Sequence, residues 1–236
     1  DNFFNNWILD TAAFGEIPGD LLGELSKVCD LSIMLPEDLE IIRKYTVDFL
    51  GLNYYARVMI KPYETGETTL IVNNAGSKAK GTSQTIIKGW FEQVRPESSR
   101  YTEWDTEIFP EGLYEGIRSV WKKYHLPVYI TENGIGLYED ASEEQIKDQE
   151  RINFMDMHIN AVLNAREEGC DVRGYYAWSP FDLYSWKNGT EKRYGLVAID
   201  YENGLARKPK ESYYWFRDVI QSQGKTINRK KYEEVL

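Results

Sequence analysis

Cysteine and histidine are scarce in these 236 residues: Cys29 and Cys170, His125 and His158, and no others. The cysteines form no CxxC pair and no repeated framework, which argues against a disulfide scaffold or a thiolate metal site and fits a reducing compartment. The histidines stand far apart, so structural or exposed roles are expected for both, and no metal is implied. A surplus of cations is missing too, since 28 Lys+Arg against 38 Asp+Glu leave a net charge of −10. Nucleic acids and anionic membranes both need a basic face, so neither is an expected partner. No run of about 18 apolar residues is present to cross a bilayer. The opening "DNFFNNWILD" has no basic segment followed by an apolar core, so it does not read as a secretory leader and the expected location is cytoplasmic. A Gly-rich phosphate motif is absent from every strand–helix junction, which disfavours nucleotide binding.

Aromatic residues, in contrast, are plentiful: 7 Trp, 17 Tyr and 9 Phe make up 14% of the chain. Such side chains fill cores, and they also stack on sugar rings. With 42% hydrophobic and 28% charged residues the chain has an ordinary globular composition, enough for one large domain or two small ones.

Helix and strand patterns alternate along the sequence. "LPEDLEIIRKYTVDFLGLNYY" opens with Pro36 and acidic residues, suited to a helix N-terminus. Leu39, Ile42 and Tyr45 can share one helical face there, and "VDFLGLNYY" reads as a strand. In "PEGLYEGIRSVWKKYHLPVYITENG", Leu113, Ile117, Val120, Trp121 and Tyr124 follow helical spacing, Pro127 blocks continuation, and "VYI" is a short strand. In the third unit Ile152, Met155, Ile159, Val162 and Leu163 form an apolar stripe, Gly169 stops the helix, and "VRGYYAW" is the strand. Three such units predict parallel strands covered by helices, in either a barrel or an open doubly wound sheet. Residues 61–106 form a long insertion, in which "TTLIV" and "QTIIKGW" are expected to pair as a hairpin above the functional face.

Polar residues gather at the C-terminal end of each strand, the end that carries the chemistry in α/β barrels. Asn53, Tyr54 and Tyr55 close the first, "TENG" the second, and Trp178 to Tyr194 follow the third. Glu132 could be a solvent-facing acid in a turn. On a short apolar strand, however, its carboxylate points to whatever the strand tops surround, and could attack a sugar acetal carbon. Further on, "SWKNGTEKRYG" sets Lys187, Lys192 and Arg193 among aromatics and hydroxyls in an acidic chain; a solvated basic loop is the simpler reading, and the interleaved aromatics and hydroxyls suggest instead a pocket for an anionic ring-shaped ligand.

"ITENG" resembles the nucleophile signature of the family-1 glycoside hydrolases, retaining β-glycosidases built on a (β/α)₈ barrel. "DFLGLNYY", "WDTEIFPEGLYEGI" and "WSPFDLYSWKNGTEKRYGLVAIDYENGLARKPKESYYWF" resemble further stretches of that family, in the expected order. The implied fold class is α/β, the C-terminal portion of a (β/α)₈ TIM barrel with strands resembling the sixth to eighth. Residues 1–236 would be a single partial barrel domain, incomplete as one chain. By this resemblance Glu132 is the nucleophile, Tyr55 orients it, Asn53 binds near the 2-hydroxyl, and Trp178 is the floor on which the sugar stacks. The β-glucosidases of the family place a glutamate where this chain has Ser185, and that glutamate would repel a 6-phosphate. Ser185, Lys192 and Tyr194 resemble instead the phosphate-binding loop of the 6-phospho-β-glycosidases, in which charge-assisted hydrogen bonds hold the anion. Trp186 after the serine resembles the 6-phospho-β-galactosidases, although unphosphorylated enzymes carry a tryptophan there too.

The resemblance therefore implies hydrolysis of 6-phospho-β-galactosides, with a phosphorylated disaccharide or β-glycoside as partner and no cofactor. A 6-phospho-β-glucosidase, an unphosphorylated β-glucosidase and a non-catalytic sugar-phosphate-binding remnant are the alternatives. The family's acid/base glutamate, in an "NEP"-like motif, has no counterpart; "FGEIPGD" offers only "GEIP". The loss of general acid catalysis is worth about 10²–10⁴ in rate, so little turnover is expected of the chain by itself. An N-terminal half chain or self-association would complete the barrel.

Overall fold

The computed structural model describes residues 5–71, 84–185 and 188–232. Three helices come first, α1 (Trp7–Phe14), α2 (Gly19–Leu25) and α3 (Pro36–Lys44). Strand β1 (Leu50–Asn53) is followed by β2 (Met59–Tyr63), β3 (Thr69–Ile71), β4 (Gln84–Ile87), β5 (Trp90–Val94), β6 (Arg100–Tyr101) and β7 (Glu107–Ile108). Helix and strand then alternate through α4 (Pro110–Tyr124), β8 (Val128–Asn133), α5 (Gln149–Glu167) and β9 (Val172–Ala177). A hairpin, β10 (Val197–Asp200) and β11 (Ala206–Pro209), leads into α6 (Glu211–Gln221).

The organising layer is a parallel sheet in the order β1-β8-β9, with Leu50 opposite Val128 and Val128 opposite Val172. Strand period decides its two faces. Val128 and Ile130 are fully buried beneath the helices, while Thr131 is exposed on the other side. Helices α4 and α5 pack on each other over the buried face, where Leu113, Ile117, Val128, Ile130, Ala161, Val162 and Val172 make one core cluster. Each Leu, Ile or Val buried in this way contributes about 1.5–3 kcal/mol of transfer free energy. Among the described residues β1 and β9 each pair on one side only, with β8, so the sheet is an arc and not a closed barrel.

Helix α4 starts on Pro110, ends with Lys122 and Lys123 against its negative pole, and stops at His125 in the left-handed region (φ 52°). Leu113, Ile117 and Tyr124 are buried as their spacing predicts, and Val120 and Trp121 pack against the same cluster. Helix α5 differs from its predicted stripe. Met155, Ile159 and Val162 are buried, but Ile152 and Leu163 are only half-buried, whereas Phe154, His158, Ala161 and Ala165 are buried as well. The cause is position: α5 lies against α4 on one side and α6 on another, so most of its circumference is covered. Helix α3 forms where predicted but buries nothing, and Tyr45 lies beyond its end, 70% exposed.

Strands β2 to β5, all but the start of β2 within 61–106, form an antiparallel sheet in the order β2-β5-β4-β3, in which β3 pairs with β4. Among the described residues no helix is long and apolar enough to cross a membrane, and no three His, Cys, Asp or Glu side chains are grouped to hold a metal.

Candidate functional site

Asn133, the last residue of β8, is fully buried and ties three strand ends together. Its Nδ2 donates to the Tyr54 carbonyl at 2.7 Å, and its Oδ1 accepts from the Tyr175 phenol of β9 at 2.8 Å. Its carbonyl accepts from the Trp178 amide at 2.8 Å. A side chain at Gly134 could not coexist with this arrangement, because a Cβ there would lie 1.9 Å from the Trp178 carbonyl oxygen. The strand tops are thus drawn close together, with Glu132 among them.

Glu132 is half-buried, and its Oε2 accepts a hydrogen bond from the Tyr55 phenol at 2.8 Å. Its other oxygen, Oε1, has no protein partner among the described residues and is available to react. Burial drives the Tyr55 pKa far above that of an ordinary tyrosine, and the Glu132 carboxylate adds to the effect, so this phenol stays a donor. Asn53 lies beside Glu132 across a register shift between β1 and β8, and its Oδ1 accepts from Thr131 Oγ1 at 2.7 Å on the exposed face of the sheet. Trp178 is half-buried just past β9.

Lys192 approaches the same rim from the loop before β10. Its stem lies across Gly136, where a Cβ would come within 2.6 Å of both Cγ and Cε. Its ammonium is 5.1 Å from the ring centroid of Trp104 and 5.2 Å from that of Tyr194. Among the described residues no carboxylate pairs with it, and burial pulls its pKa below the usual lysine value. The Tyr194 phenol is pushed up to about 12, first by burial, with Arg151 opposing and the charge of Glu132 reinforcing. Tyr194 therefore feels the carboxylate at residue 132 while it flanks Lys192.

The structure brings Glu132, Tyr55, Lys192 and Tyr194 to one rim, with the backbone of Trp178 joined to it through Asn133. Ser185 lies in a tight turn of its own, exchanging backbone hydrogen bonds with Gly189 at 2.8 and 2.9 Å while its Oγ accepts from the Asn188 amide. Trp186 and Lys187 lie outside the described residues.

Behind the rim lies a buried ionic chain that no motif announces. Arg151 of α5 donates to Asp148 at 2.8 Å and to Glu139 at 2.7 Å. It also donates to the carbonyls of Ile135, Arg193 and Tyr194 at 2.6, 3.2 and 3.0 Å. Lys210, fully buried, bonds Glu139 and lies 2.9 Å from Asp182, which in turn accepts from Arg193 at 2.9 Å. One guanidinium thereby fastens the segment after Glu132 to the segment that carries Lys192 and Tyr194. The only trace in the sequence is an arginine one helical turn from Met155 on the buried face of α5.

With this geometry in hand, comparison with known proteins is informative. The profile of glycosyl hydrolase family 1 matches residues 1–225. A 6-phospho-beta-galactosidase of Leptotrichia buccalis is 37% identical over 232 residues, which cover 94% of this chain and 49% of that protein. One from Clostridium acetobutylicum is 36% identical over 224 residues, covering 91% and 46%. Among solved structures, the GH1 beta-glucosidase of Exiguobacterium antarcticum B7 has a TM-score of 0.79 at 27% identity, over 96% of this chain and 46% of that one. The chain spans about half the length of the curated relatives it matches. Its parallel arc is accordingly the C-terminal part of a (β/α)₈ barrel, which rules out the open doubly wound sheet.

Proposed function

The chain belongs to glycosyl hydrolase family 1, and we propose that it is the part of a retaining 6-phospho-β-galactosidase that carries the nucleophile and the phosphate site. Glu132 Oε1 attacks the anomeric carbon, the glycosidic bond breaks, and a glycosyl–enzyme ester forms on Glu132. Water then displaces the carboxylate and restores the β configuration. Tyr55 holds Glu132 in line through Oε2 and remains protonated throughout. Asn53 offers its side-chain amide near the 2-hydroxyl, and Trp178 provides the stacking surface.

Both steps need a second carboxyl about 5–5.5 Å from the nucleophile to move the proton. No "NEP"-like motif stands in these 236 residues, which span about half the length of the curated relatives, so the proton donor is assigned to an N-terminal half of the barrel that they do not span. Near its end the stretch 61–106 places Trp104 under the ammonium of Lys192, which supports a place over the site for that end of it. A sugar that already carries phosphate does not cross a bilayer unaided, so the reaction belongs in the cytoplasm.

The observation that carries this reading is the ammonium of Lys192, desolvated and free of any described carboxylate, on the same rim as the Tyr55–Glu132 pair. The solved relative named above as a beta-glucosidase favours a competing reading, an unphosphorylated glucoside, for which an unpaired buried cation has no purpose. Isothermal titration calorimetry with galactose 6-phosphate, glucose 6-phosphate and the two free sugars separates them. Galactose 6-phosphate is expected to bind most tightly, and Lys192→Ala to lower its affinity about 10- to 150-fold, the worth of a hydrogen bond to a charged group. Tighter binding of free glucose than of either phosphate would overturn the reading.

A further inference from the structure

The chain needs no indole at residue 104 for packing alone. Trp104 is 7% exposed, and its Nε1 is buried without a hydrogen-bond partner among the described residues. An orphaned donor of this kind is destabilising, and phenylalanine would avoid it. What tryptophan offers in return is the strongest aromatic face for a cation. The ammonium of Lys192 lies 5.1 Å from the centroid of that ring.

We propose that Trp104 is a positioning residue for Lys192: its indole, together with the ring of Tyr194, holds the ammonium at the rim and so sets the preference for a phosphorylated ligand. Left alone, a lysine spends its charge over many rotamers. Here the stem is confined across Gly136 and the head is held by two rings. Trp104 is itself immobilised, stacked on Tyr138 at 4.8 Å and 22°, with its amide donating to Thr102 Oγ1 at 3.2 Å. The cation–π attraction stabilises the charged head without consuming its three N–H donors, as a carboxylate partner would, so the donors stay free for an anion. A residue near the end of the long insertion, the first of the stretch "WDTEIFPEGLYEGI", thus tunes the anion site. The inference rests on Lys192 as the phosphate ligand.

The test is calorimetry of galactose 6-phosphate and galactose on the wild type, Trp104→Phe, Trp104→Leu and Lys192→Ala. Affinity for galactose 6-phosphate is expected to fall in the order Trp, Phe, Leu, by about 2- to 4-fold and then about 5- to 30-fold, the range of a partly desolvated cation–π contact. Affinity for galactose is expected to stay at the wild-type value throughout. If Trp104→Leu does not fold, by circular dichroism, the Phe variant decides through its smaller loss, confined to the phosphorylated ligand. Equal losses for both ligands, or none in either variant, overturn the role of Trp104. A Lys192→Ala variant that keeps full affinity for galactose 6-phosphate overturns the phosphate site itself, a different result from loss in Lys192→Ala with none at Trp104.

Discussion

Two lysines, eighteen positions apart in sequence, have been withdrawn from water by the same fold and given opposite surroundings. Lys210 is fully buried and reaches Glu139 and Asp182, links in an ionic chain that runs on to Arg151 and Arg193. Lys192 is half-buried and meets two aromatic rings and no described carboxylate. Burial lowers the pKa of both, but at Lys210 carboxylates oppose the drop and at Lys192 nothing described does. A cation whose charge is matched within the protein is committed to the fold. A cation left unmatched at a rim keeps its charge for a visitor.

The contrast makes its largest claim on stability. Lys210→Met leaves Glu139 with Arg151 and Asp182 with Arg193 but the buried cluster one negative charge in excess, and is expected to cost about 3 kcal/mol, the lower end for broken buried pairs. Lys192→Met strands no partner and is expected to cost about 1 kcal/mol or less. Urea midpoints of the two variants measure the difference, and equal values would erase the distinction.

A second comparison sets the interior against pH. His158 is fully buried with Nδ1 at 2.8 Å from the Phe154 carbonyl, and burial lowers its pKa to about 4, the carbonyl partly opposing. The unfolded chain therefore binds this proton more readily than the folded one. The resulting stability is fully present above about pH 6.5 and is lost as pH falls toward 4, by up to roughly 3 kcal/mol. Urea unfolding at pH 7, 5.5 and 4.5 should show the decline, and His158→Phe should flatten the part of it that belongs to this ring.

The smallest effect concerns the rim and leaves the fold untouched. Because Lys192 gives up its proton below the usual lysine range, affinity for galactose 6-phosphate should decline from pH 8 to 10 while that for galactose stays level. The phosphate is already a dianion over that interval, so it adds no slope of its own. Calorimetry across those pH values reads the loss directly.

Local chemistry was legible in the sequence. Period and punctuation mark α4, β8, α5 and β9, and Glu132, Tyr55, Lys192 and Tyr194 all stand at or after strand ends in the sequence. What the sequence concealed is long-range. Nothing in the sequence groups Arg151, Glu139, Asp182 and Lys210, because nothing local says that α5 is covered on most of its sides. Trp104 opens the stretch "WDTEIFPEGLYEGI", but its neighbour Lys192 is 88 positions away and only folding makes them neighbours. Tyr45 shows the opposite failure: a helical spacing that continues past the last turn promises burial the chain does not deliver.

One amide at the top of β8 has a wider consequence. Because Asn133 clasps Tyr54, Tyr175 and Trp178 at once, no single strand of the arc can fray without releasing the other two. The orientation of Glu132 beside it therefore draws on all three strand tops together.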